Sequence, residues 1–195
     1  MNVLVLGGTT KFGAYLTEDL TTRGNKVLGV GRETVDFKSG WMLKLEEPIK
    51  AQFGDPKDIN VVIVNVYDHD PGYQDVQEEV FKSMFDFYRG QKTTVVVIGS
   101  MIASHSVYQT PYAKAKRSLA DTVIRASTLK RACKLVLVEP GVLENSSYPN
   151  SPYATFKEVA ELIRYSFYSS ASFLRLGLVG QHYRFNSENN NAQPV

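Results

Sequence analysis

Residues 94–100 read Thr-Val-Val-Val-Ile-Gly-Ser, and ten residues after Ser100 the chain continues Thr110-Pro-Tyr-Ala-Lys-Ala-Lys116. The first segment is a β-branched apolar run of strand length that stops at Gly99, which predicts a buried strand. Pro111 suits the first turn of a helix, and the alanines after it favour helix. A buried strand followed by a helix indicates an α/β sheet, and Ser100 would lie at the carboxyl end of its strand, where such sheets bind ligands.

Tyr112 and Lys116 are four residues apart, so they share one face of the predicted helix. An ammonium beside a phenol favours the phenolate and lowers the tyrosine pKa from about 10. Such a tyrosine can act as a general acid or base near neutral pH. The hydroxyl of Ser100 could hold a substrate oxygen while the proton moves, so we predict Ser100, Tyr112 and Lys116 as catalytic residues.

The Tyr-x-x-x-Lys spacing is not diagnostic by itself, because short motifs arise by chance. The other two pairs with this spacing are Tyr88/Lys92 and Tyr153/Lys157. Only Tyr112 has a serine at a predicted strand end twelve residues before it. We therefore predict structural roles for Tyr88 and Tyr153.

The amino-terminal segment predicts a phosphate-binding turn. Residues 2–6 form an apolar run of strand length, and an amphipathic helix follows the glycine-containing turn at residues 7–13. Main-chain N–H groups at such a helix terminus hold a pyrophosphate, Gly7 permits the tight turn, and Gly13 lets the helix approach the strand. A glycine turn without a ligand is the alternative. The predicted cofactor-binding residues are Gly7, Thr9, Thr10, Lys11, Phe12 and Gly13.

The second predicted strand, residues 27–30, ends in Gly31-Arg32-Glu33. At this place an acid bonds the ribose 2′-OH of NAD, whereas an arginine accommodates the 2′-phosphate of NADP. Because Arg32 comes first, we expect NADP(H) to be preferred, with NAD(H) possible if Glu33 contacts the ribose. An Arg32 side chain that is merely solvated is the remaining alternative.

The rest of the chain alternates between strand and helix patterns. Further strands are predicted at 41–45, 60–66, 134–138 and 180–185, with helices from Glu46 and at 74–89, 111–129 and 155–168. Asn65, near a strand end, and the Pro140-Gly141 turn are expected beside the cofactor. Residues 142–154 read as a substrate loop and 186–195 as a disordered polar tail.

Composition narrows the class of protein. A length of 195 residues predicts one domain, and a net charge of +2 carries no nucleic-acid signature. The single cysteine, Cys133, excludes an internal disulfide and fits a reducing compartment, so we expect a cytoplasmic protein. No apolar run reaches about 18 residues, which predicts no membrane span. Asp68-His69-Asp70 lacks further His or Cys, so no metal is expected.

Taken together, these motifs resemble the short-chain dehydrogenase/reductase family, in order and spacing, over residues 1–185. The resemblance implies an α/β, Rossmann-like doubly wound three-layer fold with a mainly parallel sheet of about seven strands, in one NAD(P)-binding domain. It also implies that Tyr112 is the acid/base, that Lys116 lowers its pKa and binds the nicotinamide ribose, and that Ser100 positions the substrate oxygen. Hydride would pass between the nicotinamide and a small carbonyl or alcohol substrate.

The family also implies a homodimer or homotetramer formed through the helices at 74–89 and 111–129. Candidate contact residues are Phe85, Tyr88, Val123 and Ile124.

The sequence departs from the family pattern at four places. Thr10 or Lys11 replaces the middle glycine of the turn, and Asn65-Val-Tyr-Asp68 replaces Asn-Asn-Ala-Gly. Lys44 stands where an acid for adenine is expected, and residues 74–89 contain no asparagine to match the family's fourth catalytic residue. Two hypotheses follow: an NADP(H)-dependent oxidoreductase, or a non-catalytic NAD(P)-binding sensor or regulatory protein on the same fold.

Overall fold

The structure is a computed structural model and describes residues 1–38, 40–67, 75–130, 132–144 and 152–182. Its strands are β1 (Asn2–Leu6), β2 (Lys26–Val30), β3 (Val61–Val64), β4 (Thr94–Ile98), β5 (Lys134–Pro140), β6 (Val142–Leu143), β7 (Tyr153–Ala154) and β8 (Phe173–Leu178). Its α-helices are α1 (Lys11–Thr22), α2 (Trp41–Phe53), α3 (Val76–Tyr88), α4 (Pro111–Ser127) and α5 (Phe156–Phe167).

Six of the described strands form one parallel sheet in the order β2-β1-β3-β4-β5-β8. From β1 the chain moves first to β2 on one side and later to β3 on the other. The carboxyl ends of β1 and β3 therefore flank the point at which the strand order reverses, where open α/β sheets bind ligands. The predicted doubly wound parallel fold is confirmed.

Helices cover both faces of the sheet. Side chains of α2, α3 and α4 pack into one hydrophobic core, and side chains of α1 and α5 pack into the other. Because both faces are covered, the central strands are buried and mainly apolar. Strand β4, in which four apolar residues follow Thr94, is an example. This gives the three predicted layers.

The predicted third strand at 41–45 is wrong, because these residues begin helix α2. Trp41, Leu43 and Leu45 alternate as in a strand, but Trp41 and Leu45 share a four-residue spacing with Ile49 and Phe53, and all four are buried. Leu43 is 78% exposed, which a buried strand would not allow. Lys44 therefore lies on a helix and not at a strand end.

The described sheet does not contain the predicted closing strand at 180–185, of which only residues 180–182 are described. The sheet closes with β8, whose leucines 174, 176 and 178 pack against the core while Arg175 points to the other face. Residues 180–182 are not part of the sheet, and residues 183–195 lie outside the described residues, as does the predicted tail. The described sheet therefore has six strands in place of about seven.

The remaining boundaries differ from prediction by a few residues. The strand predicted at 134–138 runs to Pro140, where it still pairs with Leu178 of β8. Most of the predicted substrate loop lies outside the described residues, but its ends form the short parallel pair β6–β7. Within the described residues, no helix has the length and apolar character needed to cross a membrane.

Candidate functional site

The glycine turn after β1 brings three elements into close contact. Gly7 has φ +86°, and a Cβ at this residue would lie 2.3 Å from the Asn65 carbonyl oxygen. A Cβ at Gly13 would lie 2.0 Å from the Gly7 oxygen. Both positions therefore require glycine, and the N-terminus of α1 sits directly over the ends of β1 and β3.

Thr10 organises this turn in place of a middle glycine. Its hydroxyl donates to the Gly7 oxygen (2.9 Å) and accepts from the Gly13 N–H (3.0 Å), which caps α1. The Asn65 amide also donates to this hydroxyl, at 2.8 Å. Asn65 thus orders the turn, as its place at the end of β3 predicted.

Helix α1 leaves N–H groups of its first turn without acceptors inside the helix. Lys11 is its first residue and is exposed, as are Thr9 and Thr10. The Phe12 ring instead packs in the core, 5.3 Å from the Phe156 ring, so only its main chain can contact a ligand. The helix N-terminus and Lys11 together favour a phosphate group here.

A cleft of about 250 Å³ opens at this turn. Its lining residues are Gly7, Thr9, Thr10, Gly31, Arg32, Phe37, Val66 and Tyr67. Arg32, two residues after the end of β2, lines the cleft, whereas Glu33 is not among the described residues of the lining. Phe37 is an apolar residue of this lining, and its ring packs against Trp41 at the start of α2.

Ser100 lies at the carboxyl end of β4, two residues beyond Ile98, and is 8% exposed. Its hydroxyl caps the 3-10 turn Met101–Ser104 by accepting from the Ile102 N–H at 3.4 Å. A Cβ built on Gly141 would lie 3.7 Å from the Met101 sulfur, so the Pro140-Gly141 segment borders this turn.

The residues after the 3-10 turn are tied to α4. Arg117 donates to the His105 oxygen at 3.0 Å and to the Tyr108 oxygen at 2.7 Å. The segment that follows Ser100 is therefore held to α4 by Arg117, the residue next to Lys116.

Tyr112 lies in the first turn of α4, which Thr110 caps by accepting from the Ala113 N–H at 3.2 Å. The side chain is partly buried. Its ring centre lies 4.8 Å from that of Tyr67 in an edge-on arrangement. Tyr67 thereby lines the cleft at the glycine turn and also contacts Tyr112, the predicted catalytic tyrosine.

Lys116 carries its amine into the interior and is 4% exposed. The Nζ atom donates to Gln77 Oε1 at 2.5 Å and to the Ile98 oxygen at 3.2 Å, and lies 5.6 Å from the centre of the Tyr112 ring. Burial lowers the pKa of the Lys116 amine to about 7. Lys116 therefore links the strand that leads to Ser100 with the ring of Tyr112.

Gln77 is a site residue that the sequence reasoning missed. Its amide donates to the Val64 oxygen (3.1 Å) and the Ile98 oxygen (2.8 Å), which fixes its own oxygen toward Lys116. The sequence signal for this residue is a glutamine next to Val76 in an apolar helical stripe, because a buried amide requires hydrogen-bond partners.

The two other tyrosines with the same spacing lie elsewhere. Tyr88 is buried, and its hydroxyl donates to the Pro56 oxygen at 3.1 Å. Tyr153 lies on β7 beside His182. Asp68-His69-Asp70 lies outside the described residues, and within those described no cluster of three metal-binding side chains occurs.

No protein-family model matches the chain, and no curated protein matches it in sequence. Solved structures do match its fold. The 3-alpha-hydroxysteroid dehydrogenase from Pseudomonas sp. B-0831, complexed with NADH, has a TM-score of 0.73 at 18% identity, covering 91% of this chain and 95% of that one. An alcohol dehydrogenase from Thermococcus sibiricus, complexed with 5-hydroxy-NADP, has a TM-score of 0.72 at 14% identity, covering 94% and 97%. A short chain dehydrogenase from Burkholderia cenocepacia J2315, in complex with NADP, has a TM-score of 0.67 at 18% identity, covering 91% and 88%.

Proposed function

Because the chain has the fold of short-chain dehydrogenases, we propose that it is an NADP(H)-dependent oxidoreductase of the short-chain dehydrogenase/reductase type. Its substrate would be a small carbonyl compound or alcohol. The observation that carries the proposal is the position of the Lys116 amine, which bonds to Ile98, two residues before Ser100, and lies 5.6 Å from the Tyr112 ring. The amine thereby lies between the strand that leads to Ser100 and the Tyr112 ring, at the carboxyl end of the sheet.

The residues at the glycine turn fit a dinucleotide. The N-terminus of α1 and Lys11 suit a pyrophosphate, and Gly7 and Gly13 allow α1 to approach the strand ends, where a Cβ would overlap main-chain atoms. Arg32 lines the same cleft and suits a 2′-phosphate, so we assign NADP(H) as the preferred cofactor, with NAD(H) as the alternative.

A bound nicotinamide supplies or accepts hydride at the substrate carbon. Tyr112 would donate the proton to the substrate oxygen in the reduction and remove it in the oxidation. Ser100 would hold that oxygen by a hydrogen bond. Lys116, in its charged form, would stabilise the phenolate of Tyr112 through the charge near its ring.

Two further assignments belong to this proposal. We expect the protein to self-associate through α3 and α4, and to work in a reducing compartment such as the cytoplasm.

Cys133 is free and buried, and burial raises the pKa of its thiol to about 11, so it is not a reactive nucleophile.

A non-catalytic NAD(P)-binding sensor is the second candidate. The observation that favours it is the packing of Tyr67 against Tyr112, because this ring stands beside the proposed proton donor. The sensor would bind the dinucleotide through the same turn and cleft but would not turn over a substrate.

The test is a calorimetric titration with NADPH and NADH, followed by a panel of carbonyl compounds with the loss of NADPH absorbance as the readout. We expect binding of NADPH in preference to NADH, and turnover of at least one carbonyl class. Binding without turnover of any compound would support the sensor. Absence of binding to either dinucleotide would overturn both functions.

A further inference from the structure

Tyr67 stands between the two halves of the proposed site. Its side chain lines the cleft at the glycine turn. The same ring lies edge-on to the Tyr112 ring, with 4.8 Å between the ring centres and 79° between the ring planes. The Lys116 amine lies 4.9 Å from the centre of the Tyr67 ring, nearer than to the Tyr112 ring.

The main chain before Tyr67 is held by hydrogen bonds and by packing. The Asn65 N–H donates to the Leu6 oxygen at 2.8 Å, and the Asn65 amide donates to Thr10. Val66 is buried in the core. A turn of the Tyr67 side chain about its torsions would remove its contacts with Tyr112 and Lys116 while this main chain stays in place.

A dinucleotide bound with its pyrophosphate at the N-terminus of α1 has to extend its nicotinamide half toward Tyr112. The Tyr67 ring contacts both the start and the end of that path. The Tyr67 ring thus packs on Tyr112 from the side of the glycine turn, so a nicotinamide ring that approaches Tyr112 from this turn has to displace it.

We propose that Tyr67 is a gate that closes the nicotinamide half of the site by packing on Tyr112 and Lys116. With the ring in this position, the cleft accepts the adenosine diphosphate half of a dinucleotide, and the nicotinamide half enters only after the ring turns away. This inference rests on the proposed dinucleotide binding and adds how its two halves are admitted.

The gate has a measurable consequence for affinity. If the open position accounts for about one molecule in ten, the apparent affinity for the nicotinamide half falls about tenfold. The affinity for the adenosine diphosphate half changes little, since its charged groups are assigned to the turn and to Arg32, and Tyr67 only borders the cleft. The wild-type protein should thus gain little affinity from the nicotinamide ring.

The experiment compares two ligands by calorimetry: the dinucleotide that binds more tightly, NADPH or NADH, and the same molecule without its nicotinamide ring. In the wild type we expect the two dissociation constants to agree within about threefold. In Tyr67→Ala the dinucleotide should bind about tenfold more tightly, while the ligand without nicotinamide keeps its affinity. Tyr67→Phe keeps the ring and should match the wild type, as should Tyr168→Ala, which removes a tyrosine that is 83% exposed at the C-terminal end of α5.

Three results would overturn the gate: a ratio of the two constants that is the same in wild type and Tyr67→Ala, a large ratio already present in the wild type, or weaker dinucleotide binding by Tyr67→Ala. If Tyr67→Ala does not fold, Tyr67→Ser replaces it in the comparison. A protein that binds neither ligand in any variant overturns the proposed function itself. This outcome differs from the three results that overturn only the gate.

Discussion

The Lys116 amine and the Gln77 amide form the most buried polar contact of the site. Gln77 is held by two main-chain oxygens, so its side-chain oxygen is directed at the amine. No charge compensates the ammonium in this pair, which is why burial alone lowers the pKa of Lys116.

Gln77→Glu should raise the Lys116 pKa above its value of about 7. A carboxylate at the same distance favours the ammonium, and we expect an upward shift of roughly one unit or more. The measurement is an NMR titration of protein labelled at the lysine side-chain carbons. Gln91→Glu adds the same charge at the other end of α3 and should leave the Lys116 titration unchanged. An unchanged titration in Gln77→Glu would show that the two side chains are not in contact.

The same pKa shift makes stability depend on pH. Since the folded pKa is near 7 and the unfolded one is 10.5, the unfolded chain binds more protons between these values. The Lys116 contribution to the free energy of unfolding therefore rises with pH across this window and is constant below it. Gln77→Glu should flatten this rise, which urea denaturation at several pH values would show.

Arg32→Ala should narrow the difference between NADPH and NADH binding. A charge-assisted contact with the 2′-phosphate is worth about 1.5–3 kcal/mol, or roughly ten- to a hundredfold in affinity. Lys26→Ala removes a positive charge at the opposite end of β2 and should leave the ratio unchanged. Equal affinities of the wild type for the two dinucleotides would instead assign the ribose contact to Glu33.

At the scale of elements, the turn between β1 and α1 depends on how closely the helix approaches the strand. Gly13→Ala should destabilise the fold by about 1–3 kcal/mol, since a Cβ would lie 2.0 Å from the Gly7 oxygen. It should also weaken dinucleotide binding by moving the N-terminus of α1. The matched control is Gly177→Ala on β8, where a Cβ meets nothing within 4 Å. Equal thermal stability of the two variants would contradict the close approach.

The elements that sequence reasoning placed correctly are those whose residues carry one unambiguous pattern. The apolar run of β4, the glycine turn and the capped helix α4 follow from local chemistry. The start of helix α2 was predicted wrongly for two reasons. The apolar residues among its first five positions fit the two-residue period of a strand as well as the four-residue spacing of a helix. Pro48 within the helix suggested that the helix begins later. Only packing against the neighbouring elements decides between the two periods.

The candidate site was predictable only in part, because two of its contacts are tertiary. Gln77 and Lys116 are 39 residues apart, and Tyr67 and Tyr112 meet only once β3 and α4 are in place. Neither pair has a short sequence motif. Tyr67 was visible in the sequence as a departure after β3, but its contact with Tyr112 needs the folded sheet.

For the whole molecule, three predicted contact residues prove to be core residues: Phe85, Tyr88 and Val123 are at most 4% exposed. A groove between α3 and α4 remains at the surface, and Leu129 at its edge is 46% exposed. We keep self-association through these helices as a proposal, with Leu129 in place of the three buried residues.

Sedimentation velocity at micromolar concentration should show a species larger than the 21.8 kDa chain. Leu129→Glu should shift it toward the monomer, because it buries a charge in an apolar contact. Leu43→Glu alters an equally apolar exposed residue on α2 and should not. A wild-type protein that sediments only as the monomer would end this proposal.

Proton transfer by Tyr112 is tested by the turnover of Tyr112→Phe with a carbonyl substrate that the wild type reduces. The variant keeps the ring and removes the proton, so kcat should fall by about 10²–10⁴-fold while the dissociation constant of NADPH stays nearly constant. Tyr153→Phe, with the same spacing to a lysine but on β7, should keep the wild-type rate. A Tyr112→Phe variant that turns over substrate at the wild-type rate would contradict the account.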